Sequence, residues 1–143
     1  MGAGTRRERG QAAVVVLGAL IVLLALMGLA VDATRFLVAR RDLHNAADSA
    51  ALAGAQALAE EWIYSPDRAK LPVLDPGSAR SQALASLAAA SPEGIHVEVE
   101  ATRDGVRVRL RQQVPTFFLR LIGIPSESIG AEALARPRAG PVP

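Results

Sequence analysis

Cysteine is absent from this 143-residue chain, which excludes disulfides, thiol nucleophiles and cysteine-ligated metal. Aromatic residues are scarce: one Trp, one Tyr and three Phe. Charge of one sign is also missing outside the first ten residues. These carry three Arg and one Glu, and the rest of the chain balances thirteen basic against thirteen acidic side chains. A nucleic-acid binder needs a concentrated basic patch and usually aromatic faces for stacking, so no nucleic-acid partner is expected. With few aromatics and much alanine, the core must be thin and close-packed.

Groups for chemistry are equally sparse. The two histidines are His44 and His96. His44 pairs with Asp48 at helical i,i+4 spacing, and His96 falls on a charged strand face beside Glu98. A metal site needs a third and fourth ligand, and none clusters with them. Glu98 and Glu100, two apart on one strand and opposite arginines, read as a solvated face rather than an acid/base pair. No Ser-His-Asp arrangement or glycine-rich phosphate loop stands out, so no enzyme activity, cofactor or small-molecule substrate is expected.

What the chain has is Ala12 to Val31, twenty uncharged residues of which twelve are Leu, Val or Ile. As a helix it spans roughly 30 Å, the thickness of the bilayer hydrocarbon. At about −0.3 to −0.6 kcal/mol per large aliphatic residue, insertion is favoured. Residues 11–31 are therefore read as a transmembrane segment behind a basic tail, residues 1–10. Arg6, Arg7 and Arg9 on one flank nearly balance Arg35, Arg40 and Arg41 on the other, so charge alone leaves orientation open. A competing reading is a secretory signal cut after Ala30, in the small-x-small triplet Gly28-Leu29-Ala30. The apolar run is longer than the usual h-region of about 7–15 residues, which favours a retained anchor.

The helix is expected to continue past the membrane. From Asp32 to Glu61 there is no proline, and the sole glycine is Gly54. On a helical wheel Phe36, Leu43, Ala47, Ala50, Gly54 and Leu58 share one face. Ser65-Pro66 is expected to stop the helix at Tyr64, for a rod of about 80 Å. A proline-punctuated loop follows. Asp75-Pro76 then supplies an N-cap and a first-turn proline for a second helix, 76–90, with Ala83, Leu84, Leu87 and Ala88 on one side. The pattern next changes to period two. Strands 95–102 and 106–114 flank Asp104-Gly105, a two-residue hairpin signal. That turn sets Val99 against Leu110 and Ala101 against Val108, with Glu98 against Arg111 and Glu100 against Arg109. Thr116 to Ile122 reads as a short helix closed by Gly123. A third strand covers 128–136, and the tail 137–143 is expected to be disordered.

The fold class is α+β: a long N-terminal transmembrane helix continuing into a soluble domain, 32–136, with a second helix and a three-stranded antiparallel sheet. Two features have two readings each. Phe117, Phe118, Leu121 and Ile122 either cap the thin core, the usual fate of such clusters in small domains, or form an exposed patch for a partner or the membrane surface. Gly18, Gly28, Ala47, Ala51 and Gly54 are either helix-contact positions or ordinary small residues of an apolar helix.

The chain from Arg7 to Leu58 resembles the N-terminal module of TadE/TadG-like proteins of the Flp pilus-assembly (tight adherence) machinery. The marks are Arg9-Gly10 before the apolar run, Ala30-Val31-Asp32 at its end, and Asn45-Ala46-Ala47-Asp48-Ser49-Ala50-Ala51-Leu52-Ala53-Gly54-Ala55. VPTFFLRLIGI and the alanine-alternating strand after it are similar to the family's C-terminal portion. The resemblance implies a bacterial single-pass envelope protein with a cytoplasmic N-terminus and an extracytoplasmic, pilin-like domain. Its implied partners are the membrane and other pilus-assembly or pilin-like proteins, and its implied role is non-catalytic. Gly10 and Gln11 are the candidate processing site. Pseudopilins usually carry glutamate five residues into the mature chain, where this chain has Val15. It is also too short for the von Willebrand-type domain of the larger TadG-type members. Outside the family, the alternatives are a stand-alone membrane-anchored interaction module or the secreted domain cut after Ala30.

Overall fold

A computed structural model describes residues 4–65, 72–90 and 94–138. The elements are helices α1 (Gly4–Gly54), α2 (Glu60–Ile63) and α3 (Pro76–Ala90), strands β1 (Ile95–Ala101) and β2 (Val106–Pro115), a 3-10 turn at Leu119–Ile122, and strand β3 (Ser126–Ala135). The class is α+β, with a long apolar N-terminal helix, a further helix and a three-stranded antiparallel sheet of order β1-β2-β3. Helix α1 starts at Gly4, well before the apolar run, so residues 4–10 are helical. The end of the C-terminal tail, 139–143, and the loop residues 66–71 and turn residues 91–93 lie outside the described residues.

The chain forms two compact units: Met1–Leu37 with Pro115–Glu127, and Val38–Val114 with Ser128–Pro143. The second unit holds the core. Helix α1 contributes Leu43, Ala47, Ala50 and Ala51, which recur at helical spacing and are all buried. Strand β2 contributes Val106, Val108 and Leu110, and β3 contributes Ala131, Ala133 and Ala135, each set at period two. Helix α3 buries Ala79, Ala83 and Leu87, one residue per turn. Ala83 and Leu87 lie on the expected face, but Leu84 is 42% exposed and Ala88 is exposed too, so the buried line is narrower than that face. The Asp75 N-cap forms as expected, accepting the Ser78 amide at 2.9 Å.

Helix α1 ends at Gly54, well short of Tyr64. Its exit is local at first: the amides of Ala55, Gln56 and Ala57 donate to carbonyls of residues 51, 53 and 54. The chain then turns extended. Leu58 bridges to Leu74, the Ala59 amide donates to Val73, and the Asp75 amide donates to Ala57. Ala57 and Leu74 are thereby buried. Alanine's helix propensity is a weak preference, and the core contact overrides it. The single turn α2 resumes only at Glu60.

The hairpin pairs two residues away from the expected register: Val99 faces Val108, Ala101 faces Val106, Glu98 faces Arg109 and Glu100 faces Arg107. The reason is the turn. A two-residue Asp-Gly turn needs left-handed backbone at both positions, and Gly105 is not among the glycines with positive φ. The Thr102 amide and hydroxyl instead close the turn one residue earlier, onto the Gly105 carbonyl at 2.9 and 3.1 Å, with Arg103 and Asp104 between them. Because the shift is even, every side chain keeps its expected face. Gly105 is required for another reason: a Cβ there would lie 2.7 Å from the Ala135 carbonyl oxygen.

The open face of the sheet carries an ion-pair ladder. Arg109 meets Glu98 at 3.6 Å and both Glu100 and Glu132 at 3.3 Å, and Arg107 reaches Glu132 at 3.3 Å. The Glu132 hydrogen bond leads in raising the Arg109 pKa above its ordinary value. Such exposed pairs set strand pairing more than they add stability.

Candidate membrane-proximal site

In the first unit, the apolar part of α1 is open to its surroundings on all sides. Leu17, Leu20, Ile21, Leu24 and Met27 are all more than half exposed. The described residues contain one helix long and apolar enough to cross a membrane, Gly10–Gly54, with its apolar window almost unburied. A soluble core helix of this composition would be covered. Burial begins at Gly28 and Asp32, one helical turn apart.

What covers those two positions is the segment after β2. The Phe118 ring lies on Gly28, so closely that a Cβ at 28 would sit 2.2 Å from ring carbon Cδ1. Asp32 is 1% exposed, yet its carboxylate is fully partnered. Oδ1 accepts the Phe117 amide at 3.0 Å, and Oδ2 accepts the amides of Phe118 and Leu119 at 2.8 and 2.9 Å. A buried carboxylate is stable only when its acceptor capacity is filled this way. The Phe117 amide leads in holding the Asp32 carboxyl below its ordinary range. The Leu119 and Phe118 amides and the Arg35 charge add to it, and burial opposes it. Arg35 stacks over the Phe117 ring, 4.2 Å from its centroid.

The stapled segment is closed on itself. The Thr116 amide donates to Pro125 at 3.0 Å, and the Thr116 hydroxyl donates to the Ile124 carbonyl. The amides of Leu121, Gly123 and Ile124 donate to carbonyls of residues 118, 120 and 119. Gly123 takes the left-handed conformation that ends the 3-10 turn, at φ +90. The expected helix over 116–122 is shortened to a 3-10 turn over 119–122. The aromatic and aliphatic side chains here do not cap the core. Leu121 is 82% exposed and Ile122 73%, and Phe117 is more than half exposed.

The remaining expected site residues fall elsewhere. Gly10 and Gln11 are exposed on the first turns of α1, and a Cβ at Gly10 would meet nothing within 4 Å. Of the family-motif helix, Asn45 and Asp48 are exposed, Ala46 is half-buried, and Ala47 and Gly54 are buried. Gly54 sits where a Cβ would come 2.8 Å from the Ala79 carbonyl oxygen. Ala47, Ala51 and Gly54 therefore serve contacts of α1 within its own unit, and Gly28 serves Phe118. Gly18 faces open space. His44 is half-buried on α1, and His96 is exposed opposite Arg111.

Sequence reasoning marked Asp32 only as the end of the apolar run and missed its role as a staple. Three backbone amides more than eighty residues away carry no side-chain signature. The usable signal was a carboxylate on the rim of an apolar helix together with a late apolar segment in need of an anchor.

These features define a class: an α+β protein whose long apolar helix is stapled by a rim carboxylate to a late apolar turn. Residues 10–57 match the model of the Flp pilus-assembly TadE/G-like family. The matched stretch takes in the apolar run, Asp32, the small-residue helix face and the break after Gly54. No curated protein and no solved structure matches the chain.

Proposed function

We propose that this chain is a single-pass, membrane-anchored, pilin-like component of a Flp/Tad-type pilus or secretion assembly. It acts by helix packing and protein–protein interaction rather than by catalysis. The observation that carries the reading is the family match over 10–57, falling on a helix whose apolar length is uncovered. In this reading the N-terminus is cytoplasmic and residues 32–136 are extracytoplasmic. The partners are the membrane and other pilus-assembly or pilin-like proteins. Because Ala47, Ala51 and Gly54 are occupied within the chain, lateral contacts fall to the exposed apolar faces of α1, including Leu37 and Val38, which are 70% and 55% exposed. Gly10-Gln11 remains the candidate processing site, with Val15 in place of the glutamate that prepilin-type processing favours.

Secretion after cleavage at Ala30 is the less supported reading, since it removes Gly28, on which Phe118 rests. Intact mass of the protein purified from membranes tests the scheme. A mass that includes residues 1–10 marks an uncleaved anchor, and a new N-terminus at Gln11 marks prepilin-type processing. A new N-terminus at Val31 overturns the anchor. Site-directed crosslinking from Leu37 and Val38, in cells carrying the assembly, then tests the partner class. Capture of pilus-assembly proteins supports the role, and capture of none of them counts against it.

A further inference from the structure

We propose that residues 117–124 form an interfacial lipid-binding element, which enters the bilayer leaflet beside the end of the membrane-spanning helix. The proposal rests on the reading of residues 11–31 as a membrane span and adds a second, non-helical contact with the same bilayer.

Three independent observations point to lipid. The first is position. Phe118 lies on Gly28, which is inside the apolar run and about 6 Å along the helix axis from Asp32. The patch is therefore continuous with the surface that the span presents to acyl chains. The second is chemistry. Leu121, Ile122 and Phe117 are exposed together, beside the exposed cations Arg35 and Arg120. An apolar tip flanked by cations matches a leaflet whose headgroups are anionic, with the arginine stems lying along the apolar layer and their guanidinium groups at the headgroups.

The third is the backbone. Hydrocarbon offers no hydrogen-bond partners, so a non-helical turn enters it only if its amides are satisfied internally. Here the amides of residues 117–119 go to Asp32, and those of Leu121, Gly123 and Ile124 go to carbonyls of the same turn. Asp32 thereby has a positioning role. It fills the amides at the start of the turn and holds the tip at the level of the helix rim.

The chain has no native cysteine, so single-cysteine variants report position directly. The full-length protein is reconstituted in vesicles of phosphatidylcholine and phosphatidylglycerol. Leu121→Cys, Leu20→Cys and Tyr64→Cys are each labelled with an environment-sensitive fluorophore, and brominated acyl chains serve as the quencher. Leu20→Cys is expected to be strongly quenched and Tyr64→Cys to stay unquenched. Leu121→Cys is expected to be quenched several-fold more than Tyr64→Cys, most by lipids brominated near the headgroup end of the chain. Quenching at Leu20→Cys without quenching at Leu121→Cys overturns this proposal and leaves the anchor standing. Loss of quenching at both overturns the anchor reading itself. A Leu121→Cys signal that follows protein density and ignores brominated lipid identifies a second copy of the chain as the occupant, and overturns the lipid assignment. Arg120→Glu is expected to weaken quenching at Leu121→Cys in anionic vesicles and to leave it unchanged in neutral ones. An equal effect in both would remove the headgroup role of Arg120.

Discussion

The carboxylate of Asp32 accepts the Phe118 amide at 2.8 Å across 86 residues of sequence. With the Phe117 and Leu119 amides it makes a three-donor staple at the rim of an apolar helix. The staple replaces the capping side chain that the 3-10 turn lacks at Phe118. Removing its charge while keeping its shape should release the turn. In Asp32→Asn one oxygen becomes an amide donor facing amide donors. Cleavage by trypsin after Arg120 in detergent-solubilised protein is expected to quicken roughly tenfold, the scale of losing a charge-assisted hydrogen bond. Cleavage in the second unit should be unchanged.

The same staple predicts a dependence on pH with a definite sign. The folded Asp32 pKa lies below its ordinary value of 3.8. A depressed carboxyl contributes its stabilisation in full above the ordinary value and loses it as pH falls through the folded one. The amide proton shifts of Phe117, Phe118 and Leu119 should hold steady at neutral pH and move together as pH falls through the folded value, which lies below the ordinary one. In Asp32→Asn this concerted movement should vanish.

Gly54 tests the close approach of α1 to α3. A Cβ there would lie 2.8 Å from the Ala79 carbonyl oxygen and 3.1 Å from both methyl groups of Val106. The nearest neighbour is backbone, which yields less readily than a side-chain end. Gly54→Ala is expected to lose about 1–3 kcal/mol by overpacking, although alanine is the better helix former. Thermal unfolding followed by circular dichroism would register this as a clear drop in midpoint. Gly18→Ala, with open space around it, should leave the midpoint in place.

The hairpin register can be read by crosslinking. Glu98 stands directly opposite Arg109. Paired cysteines at 98 and 109 should oxidise readily, because facing residues in an antiparallel pair bring their Cβ atoms within about 4.5–5.5 Å. Cysteines at 98 and 111, the pairing that a turn at Asp104-Gly105 would produce, should oxidise far more slowly.

The hairpin also shows how far the sequence was legible. Alternation over Val97–Ala101 and Val106–Leu110 revealed the strands and their faces, because period two is a property of the strand itself. The register depended on the backbone conformation of Gly105, and the Asp-Gly pair suggests a left-handed turn at 104–105, whereas Thr102 closes the turn one residue earlier on the Gly105 carbonyl. The end of α1 was hidden for a similar reason. Nothing in the alanine-rich run after Gly54 opposes a helix locally, and the break comes from the pairing of Leu58 with Leu74 across a loop. Helix α3, by contrast, was legible to the residue, since Asp75-Pro76 marks its start within the chain's own local chemistry. At the membrane-proximal site the apolar cluster was visible, but its exposure was not. Exposure followed from where Asp32 holds the turn.

The staple also orders events during synthesis. A ribosome makes Asp32 long before Phe117, and domains form in the order their parts become available. Until the late segment arrives, the rim of the apolar helix carries an ionised carboxylate without its amide donors and a bare glycine notch above it. A nascent or truncated chain ending before Pro115 therefore displays both, and a finished chain conceals both. The staple thus closes only once residues 117–119 have been made.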